Sequence, residues 1–295
     1  MVRVGVVALA LCLMAATASA QAVWQIKPSQ ADPRVRHYDD LSLVFDTDAP
    51  PGAPLVVFLP GTGGEPEKSR DFLTVVAGQG YRVIGLEYDD APAVSQTCPR
   101  DPDPDCSTNF RRMRVYGEGQ ARVSNPPEES IVTRLVMLLQ MLNQRHPRAG
   151  WDQYLDGDRP RWDRIVVSGL SQGAGMAAFI ARKHEVARVV LFSSPWDSTG
   201  RDSHPAPWLS EPSATPMDRW FAEYHKRENT AGLIRNAYAA LQIPADHVRV
   251  FDADLPPGKH DGDNPFHGST IRNMAYADQW RAMFGTPSDD SAPVQ

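Results

Sequence analysis

The sequence predicts an α/β fold whose centre is one mostly parallel, eight-stranded sheet with helices on both faces. Short apolar runs rich in β-branched residues alternate along the chain with stretches of helical periodicity. Such alternation is typical of parallel strands joined by crossover helices. There is no internal repeat, and 295 residues less a short leader suit one large α/β domain.

The predicted strands and helices follow from where each run begins and ends. The eight apolar runs that predict strands are Val23–Ile26, Leu41–Phe45, Leu55–Leu59, Tyr81–Leu86, Arg164–Ser168, Val186–Phe192, Trp220–Tyr224 and His247–Phe251. The segments with helical periodicity are Ser69–Ala77, Ile131–Leu142, Ala174–Arg182, Thr230–Leu241 and Ile271–Phe284. The spacing of the first two strands indicates an antiparallel pair. Gly78 ends the first predicted helix, Ser69–Ala77.

Two segments interrupt the alternation. Residues 91–128 are rich in Pro, Asp and Arg and show no sustained periodicity, and residues 195–217 contain Pro and Trp. A long excursion from a compact domain is usually functional. We expect both loops to shape the entrance of a pocket, with Trp196, Trp208 and Phe110 as candidate lining residues.

The first twenty residues have the pattern of a cleavable secretory signal. Arg3 supplies the positive end, Val4–Ala16 is almost continuously apolar, and Ala18–Ala20 offers the small residues that a signal peptidase requires. The apolar run is too short to span a bilayer. We therefore expect cleavage before Gln21 and export to the periplasm or the extracellular medium.

Composition limits the partners. The full chain has a formal net charge of −6. Loss of the leader would leave 275 residues and remove Arg3, the only charged residue of the leader, so the net charge would become −7. An acidic chain argues against nucleic acid, whose binding is driven by clustered Lys and Arg. No later apolar stretch is long enough to cross a membrane. We expect a small-molecule substrate, and the composition leaves the oligomeric state open.

Two cysteines remain once Cys12 leaves with the leader. Cys98 and Cys106 lie eight positions apart, which in an exported chain is typical of one local disulfide. The alternative, a free or metal-binding pair, has no nearby histidine to complete a zinc site. The sequence therefore predicts a disulfide and no metal site.

One motif indicates nucleophilic chemistry. Residues 169–173 match Gly-x-Ser-x-Gly with Ser171 at the centre. The pattern arises by chance in about one chain of this length in ten, but here a buried-strand run precedes it and a helix follows. A serine on such a strand–turn–helix elbow is lifted clear of the sheet, and the glycines remove Cβ atoms that would clash. The alternative is that Ser171 only caps the helix.

With this elbow and this order of elements, the mature chain resembles the α/β-hydrolase superfamily. The resemblance covers most of residues 21–285 and leaves 286–295 as a polar tail that we expect to be frayed. It implies an α/β-hydrolase fold, acyl-transfer chemistry of the esterase, lipase or peptidase type, and no cofactor. The elbow is the only specific motif that carries it.

The resemblance also implies where the oxyanion is held. One backbone donor is expected at Gln172, directly after the nucleophile. The second is expected in the glycine-rich turn after the third strand, residues 60–64, at the amide of Thr62. Many family members have His-Gly in this turn, whereas here Pro60 stands in the histidine position. An ordinary turn is the alternative.

The resemblance also implies that the general base follows the last strand and precedes the last helix. His260 and His267 qualify, and we expect His267 because it lies immediately before the predicted final helix, whereas His260 lies in a Pro- and Gly-rich loop. His267 would take a proton from Ser171 and later deliver it to the leaving group.

The acid that orients the base is less clearly marked. Counting back from His267 places it after the last strand but one, at Glu228. Asp197, after the preceding strand, is the alternative acid, and Asp252 and then Asp254 follow. A solvated loop charge is the ordinary state of any one of these carboxylates.

These residues predict a serine hydrolase that cleaves an ester through an acyl-enzyme intermediate. A catalytically inactive binding protein on the same scaffold, or a serine peptidase, is the alternative. Sequence does not separate hydrolysis from acyl transfer, since a fold hosts many chemistries.

Overall fold

The computed structural model describes residues 22–47, 49–50, 52–200, 203–258 and 262–288. The expected signal peptide, its cleavage site before Gln21, the alternative base His260 and residues 289–295 of the expected tail lie outside this part. In the part that is described, no helix combines the length and apolar character needed to span a bilayer.

The strands and helices of the described chain lie close to the predicted ones. The strands are β1 Ala22–Ile26, β2 Ser42–Asp46, β3 Leu55–Leu59, β4 Arg82–Gly85, β5 Leu155–Asp156, β6 Arg159–Pro160, β7 Ile165–Leu170, β8 Arg188–Phe192, β9 Ser198–Thr199, β10 His204–Pro205, β11 Trp220–His225 and β12 Val248–Phe251. The helices are α1 Pro28–Ala31, α2 Arg70–Ala77, α3 Val94–Thr97, α4 Cys106–Tyr116, α5 Ile131–Arg145, α6 Gln172–Lys183, α7 Ala231–Leu241, α8 Pro265–Arg272 and α9 Ala277–Phe284.

Eight of these strands form one sheet in the order β1-β2-β4-β3-β7-β8-β11-β12. β2 pairs antiparallel with both β1 and β4, and every pair from β4 to β12 is parallel. The predicted eight-stranded, mostly parallel sheet and its antiparallel opening pair are confirmed. β5–β6 and β9–β10 are separate two-stranded hairpins.

The central strands are buried on both faces because helices cover each side. Leu55, Val57 and Leu59 of β3 pack into one apolar cluster, and Val56 and Phe58 of the same strand pack into the other. This period of two puts alternate side chains on opposite faces. Such strands have near-continuous apolar sequences, which is why β3 is predicted to the residue.

The segment 91–128 differs from its prediction, because it contains the eleven-residue helix α4 as well as α3. The helical pattern is hidden because two arginines lie on the buried side of α4. Arg111 and Arg114 are 0% and 2% exposed beside the buried side chains of Phe110 and Val115. Helices are recognised in a sequence from the spacing of apolar residues, so a buried helix face that carries arginines is not recognised.

The disulfide between Cys98 and Cys106 is present and joins the end of α3 to the start of α4. It closes a short loop in the segment that was expected to be irregular. The prediction of the pair from spacing is confirmed.

The last helix also differs from its prediction. It begins earlier and is divided into α8 and α9, separated at Asn273. The Asn273 side chain accepts a hydrogen bond from the amide of Ala275 at 3.1 Å and so caps the turn that leads into α9. His267 consequently lies in the first turn of α8, not before a helix that starts at Ile271.

The three aromatic residues that were expected to line a pocket lie in different environments. Trp208 and Phe110 are both fully buried and belong to the core. Their role is packing. Trp196 is partly buried, and its ring lies 5.2 Å from that of His267, edge to face. Trp196 thus contacts the expected base, whereas Trp208 donates to Asp197, the alternative acid.

Candidate active site

Ser171 lies on a sharp turn between β7 and α6. Its backbone has φ 55° and ψ −121°, a conformation that non-glycine residues rarely adopt. The turn is held in place because the amide of Ser171 donates to the carbonyl of Phe192 on β8 at 2.9 Å. This is the strained strand–turn–helix geometry that the Gly-x-Ser-x-Gly motif predicts.

The glycines of the motif are required by close backbone approach. A Cβ added at Gly173 would lie 2.0 Å from the carbonyl oxygen of Leu59, at the end of β3. A Cβ at Gly169 would lie 2.4 Å from the carbonyl carbon of Gly173. Neither position has room for a side chain, so the glycines let α6 pack tightly against β3 and β7.

The glycine-rich turn after β3 lies beside the nucleophile. A Cβ built on Gly61 would be 3.0 Å from Cβ of Ser171. Thr62, the next residue, is exposed at this edge. Gln172 is the first residue of α6, where a backbone N–H has no acceptor within the helix. Gln172 thus directly follows Ser171, and Thr62 belongs to the turn whose Gly61 lies against Ser171.

His267 is hydrogen-bonded to Glu228. The distance from His267 Nδ1 to Glu228 Oε2 is 2.7 Å, with the histidine side chain 20% exposed and the glutamate side chain 0% exposed. A partly accessible imidazole held by a buried carboxylate is the base–acid arrangement of a catalytic triad.

The carboxylate of Glu228 is held by three further donors. Oε1 accepts from the amide of His225 at 2.8 Å and from Ser193 Oγ at 3.0 Å, and Oε2 accepts from Thr230 Oγ1 at 3.2 Å. A buried carboxylate needs such donors because burial without them disfavours the charged form. The acid is therefore fixed in position, with Oε2 directed at the imidazole.

The alternative acids are engaged elsewhere. Asp197 forms a buried ion pair with Arg111 of α4, including a bond from Nε at 2.6 Å, and also accepts from Trp208 Nε1 at 2.9 Å. Asp252 and Asp254 bind Lys226 and Arg227 at the surface, at 2.9 Å and 2.7 Å. None of the three has a recorded bond to His267.

A second acid lies near Glu228. Glu223 is fully buried within β11. Burial first, and then the charge of Glu228, raises the pKa of Glu223 well above its ordinary value. Burial thus favours the protonated form of Glu223.

Parallel topology brings these residues together. Ser171, Glu228 and His267 follow β7, β11 and β12, whose carboxyl ends meet at one edge of the sheet. Ser193, directly after β8, lies between them, because its hydroxyl contacts both Glu228 and the carbonyl of His267, the latter at 3.4 Å. The imidazole bond present here goes to Glu228 and not to Ser171, and a serine–histidine bond is often long before substrate binds.

Three residues of the site are not apparent from sequence. Ser193 directly follows β8 and Glu223 lies within β11, and both strands were recognised only as apolar runs. Asp90 accepts from the amides of Gly63 and Gly64 and so contacts the glycine-rich turn. The available signal was weak in each case, namely a polar residue within or after a parallel strand.

The described residues contain no group of three or more His, Cys, Asp or Glu side chains arranged to hold a metal ion.

The strand order, the helices on both faces and the elbow define an α/β-hydrolase fold. No protein-family model matches the sequence. A search of curated proteins gives no match either.

Solved structures that this chain resembles include three hydrolases. An esterase from the archaeon Pyrobaculum calidifontis is 16% identical, with 92% of this chain and 87% of that chain covered and a TM-score of 0.45. A thermostable carboxylesterase cloned from a metagenomic library is 14% identical, with coverages of 93% and 90% and a TM-score of 0.47. A dienelactone hydrolase from Anabaena variabilis is 15% identical, with coverages of 89% and 97% and a TM-score of 0.44.

Proposed function

We propose that the protein is a serine hydrolase that cleaves an ester bond, with Ser171 as nucleophile, His267 as base and Glu228 as the acid. One observation carries the proposal. Ser171 lies on a strained elbow, and His267 donates to the fully buried carboxylate of Glu228 at 2.7 Å. That carboxylate accepts hydrogen bonds from three other donors. A helix cap alone requires none of this arrangement.

The proposed reaction has two steps. His267 Nε2 removes the proton of Ser171 as Oγ attacks the carbonyl carbon, and the amides of Gln172 and Thr62 donate to the resulting oxyanion. Collapse of the tetrahedral intermediate expels the alcohol, which receives the proton from His267 and leaves an acyl-enzyme. Water, deprotonated by His267, then attacks the acyl carbon, and Ser171 regains its proton as the acid product leaves.

Export forms part of the proposal. The Cys98–Cys106 disulfide supports it, because disulfides persist in oxidising compartments such as the periplasm and the extracellular medium. Export and the identity of the ester are separate questions, and each requires its own experiment.

A panel of p-nitrophenyl and alkyl esters, with matched anilides, tests the proposed activity. Wild-type protein should hydrolyse at least one ester with saturable kinetics, and Ser171→Ala should lose that activity by a factor of about 10³ or more. Ser203→Ala, which alters an exposed serine, should retain it. Equal activity in wild type and Ser171→Ala would contradict the proposal. Hydrolysis of anilides alone would favour a peptidase.

A further inference from the structure

The segment that follows β4 holds the glycine-rich turn at two points. The hydroxyl of Tyr88 donates to the carbonyl of Pro60 at 3.0 Å, at the start of the turn. The carboxylate of Asp90 accepts from the amides of Gly63 and Gly64, one on each oxygen and each at 3.1 Å, at its end. Thr62 lies between these two attachments.

We propose that Asp90 is a positioning residue for the oxyanion hole, fixing the amide of Thr62 by holding the two amides that follow it. The inference rests on the proposed function, since it concerns how the predicted oxyanion donor is held. It acts through the backbone of residues 61–64.

A carboxylate suits this task because it offers two acceptor oxygens to two parallel N–H groups. Asp90 is only 2% exposed, so its bonds to Gly63 and Gly64 are not replaced by water. Gly64 also donates to the carbonyl of Gly61 at 2.8 Å, which closes the turn around Thr62. Gly61 in turn lies against Ser171. The position of the donor relative to the nucleophile therefore depends on where Asp90 holds the turn.

An amide in place of the carboxyl would break this match. Asn has one acceptor oxygen and an NH₂ group, so in the same position one backbone N–H would face another donor. Loss of an oxyanion-hole donor costs about 10²–10³ in kcat in other hydrolases. Displacement of the donor by a fraction of an ångström should cost less than its removal.

Protonation of Asp90 should have a related effect. Burial raises its pKa to about 6, opposed by the bonds from Gly63 and Gly64. A protonated carboxyl presents a hydroxyl where one amide needs an acceptor. The other titratable and charged groups that influence or are influenced by Asp90 are Tyr38, Glu87, Tyr88, Asp89 and Arg114.

The test compares Asp90→Asn with Asp89→Asn in the full chain, using an ester that the wild type hydrolyses. Asp89 is a neighbouring buried acid that pairs with Arg114 and has no recorded bond to the turn. Asp90→Asn should lower kcat by about ten- to a hundredfold, with KM within about threefold. The inhibition constant of a trifluoromethyl ketone, whose adduct places an oxyanion in the hole, should rise by the same factor as kcat/KM falls. Asp89→Asn, folded by circular dichroism, should change neither quantity more than about twofold.

The pH profile of the wild type provides a second measurement that needs no variant to fold. A base that must be neutral contributes one proton to the acid limb of kcat/KM. Protonation of Asp90 should lower the rate further, by about the factor lost in Asp90→Asn, so the logarithmic slope of the wild type should exceed 1 just below about pH 6 and stay at 1 in Asp90→Asn. A wild-type slope of 1, or unchanged kcat and inhibitor affinity in folded Asp90→Asn, would overturn the inference. An inactive wild type would instead contradict the proposed function.

Discussion

At the scale of single residues, Glu228 is distinguished from the other candidate acids by its surroundings. From sequence it was one of several carboxylates after late strands, and counting strands was the only criterion. In the structure it is fully buried and bound to His267, whereas Asp252 lies at the surface with Lys226. Sequence indicates Ser171 from a motif, and His267 and Glu228 from the order of elements, whereas the three-dimensional contacts separate Glu228 from the other carboxylates.

Replacement of Glu228 by Gln tests this assignment. The amide keeps the shape of the side chain but removes the charge that stabilises the imidazolium and selects the tautomer of His267. We expect kcat for an ester substrate to fall by roughly 10³–10⁴, as for the equivalent change in a serine protease. Steady-state kinetics of the purified variant measure the effect.

Asp252→Asn is the matched control. It removes an exposed partner of Lys226, and solvent screens such surface pairs so that they contribute little. Its kcat should stay within about twofold of wild type. A large loss of kcat in Asp252→Asn, together with an active Glu228→Gln, would mean that Asp252 is the acid and would refute the proposed triad.

At the scale of elements, close packing of α6 against the sheet determines the elbow. Gly173 touches the carbonyl of Leu59, and Gly175 leaves the space that the guanidinium of Arg111 occupies. The same Arg111 binds Asp197, so α4 and the segment after β8 are both joined to the nucleophile helix. The sequence predicted α6 well because the buried face of α6 is made of small apolar residues. It did not predict α4, because the buried face of α4 carries arginines.

Gly173→Ala and Gly232→Ala should change stability in opposite directions. At Gly173 a methyl group would meet backbone atoms of β3, so we expect a loss of at least about 2 kcal/mol in the free energy of unfolding, together with the loss of hydrolysis. At Gly232, in α7, nothing lies within 4 Å, and Ala should stabilise by roughly 0.4–1 kcal/mol. Urea unfolding followed by circular dichroism measures both. Equal stability of the two variants would show that the elbow tolerates a side chain.

The disulfide should stabilise the segment that carries α4. Closure of so short a loop lowers the entropy of the unfolded chain and is worth about 2.5 kcal/mol on the chain-entropy model. The double variant Cys98→Ser/Cys106→Ser should lose up to this amount in urea unfolding. Reduction of the wild type should reproduce the loss, and no change on either treatment would show that the cross-link does not contribute to stability.

At the scale of the whole molecule, several acids are buried near the carboxyl edge of the sheet. Burial first, and then the nearby charges of Asp90 and Asp40, opposed by Arg134, raise the pKa of Glu87 to about 8. The folded state therefore retains a proton on Glu87 that the unfolded chain, with a pKa near 4.5, has already released. Stability from this group is complete below about pH 4.5 and is lost as the pH rises toward about 8.

Glu87→Gln should reduce this dependence on pH. The wild type is expected to lose more unfolding free energy between pH 5 and pH 8 than the variant, because Gln has no proton to release. Urea unfolding at the two pH values gives the comparison directly. An identical change in both proteins would mean that Glu87 is ionised in the folded state.

Topology accounts for what sequence could and could not predict. The parallel strands were recognisable because they are buried on both faces, and their order follows from the crossover helices. The division of α8 from α9 depends on a local cap at Asn273. The contacts of Ser193, Asp90 and Glu223 depend on strands that are distant in sequence, so no local pattern encodes them.

The central claim is that Ser171 is an activated nucleophile, and covalent labelling tests it most directly. Mature wild-type protein and Ser171→Ala are incubated with a fluorophosphonate probe, and the intact mass of each is measured. The account predicts one adduct on the wild type, mapped to Ser171, and none on the variant. An unlabelled but folded wild type, or equal labelling of both proteins, would contradict it.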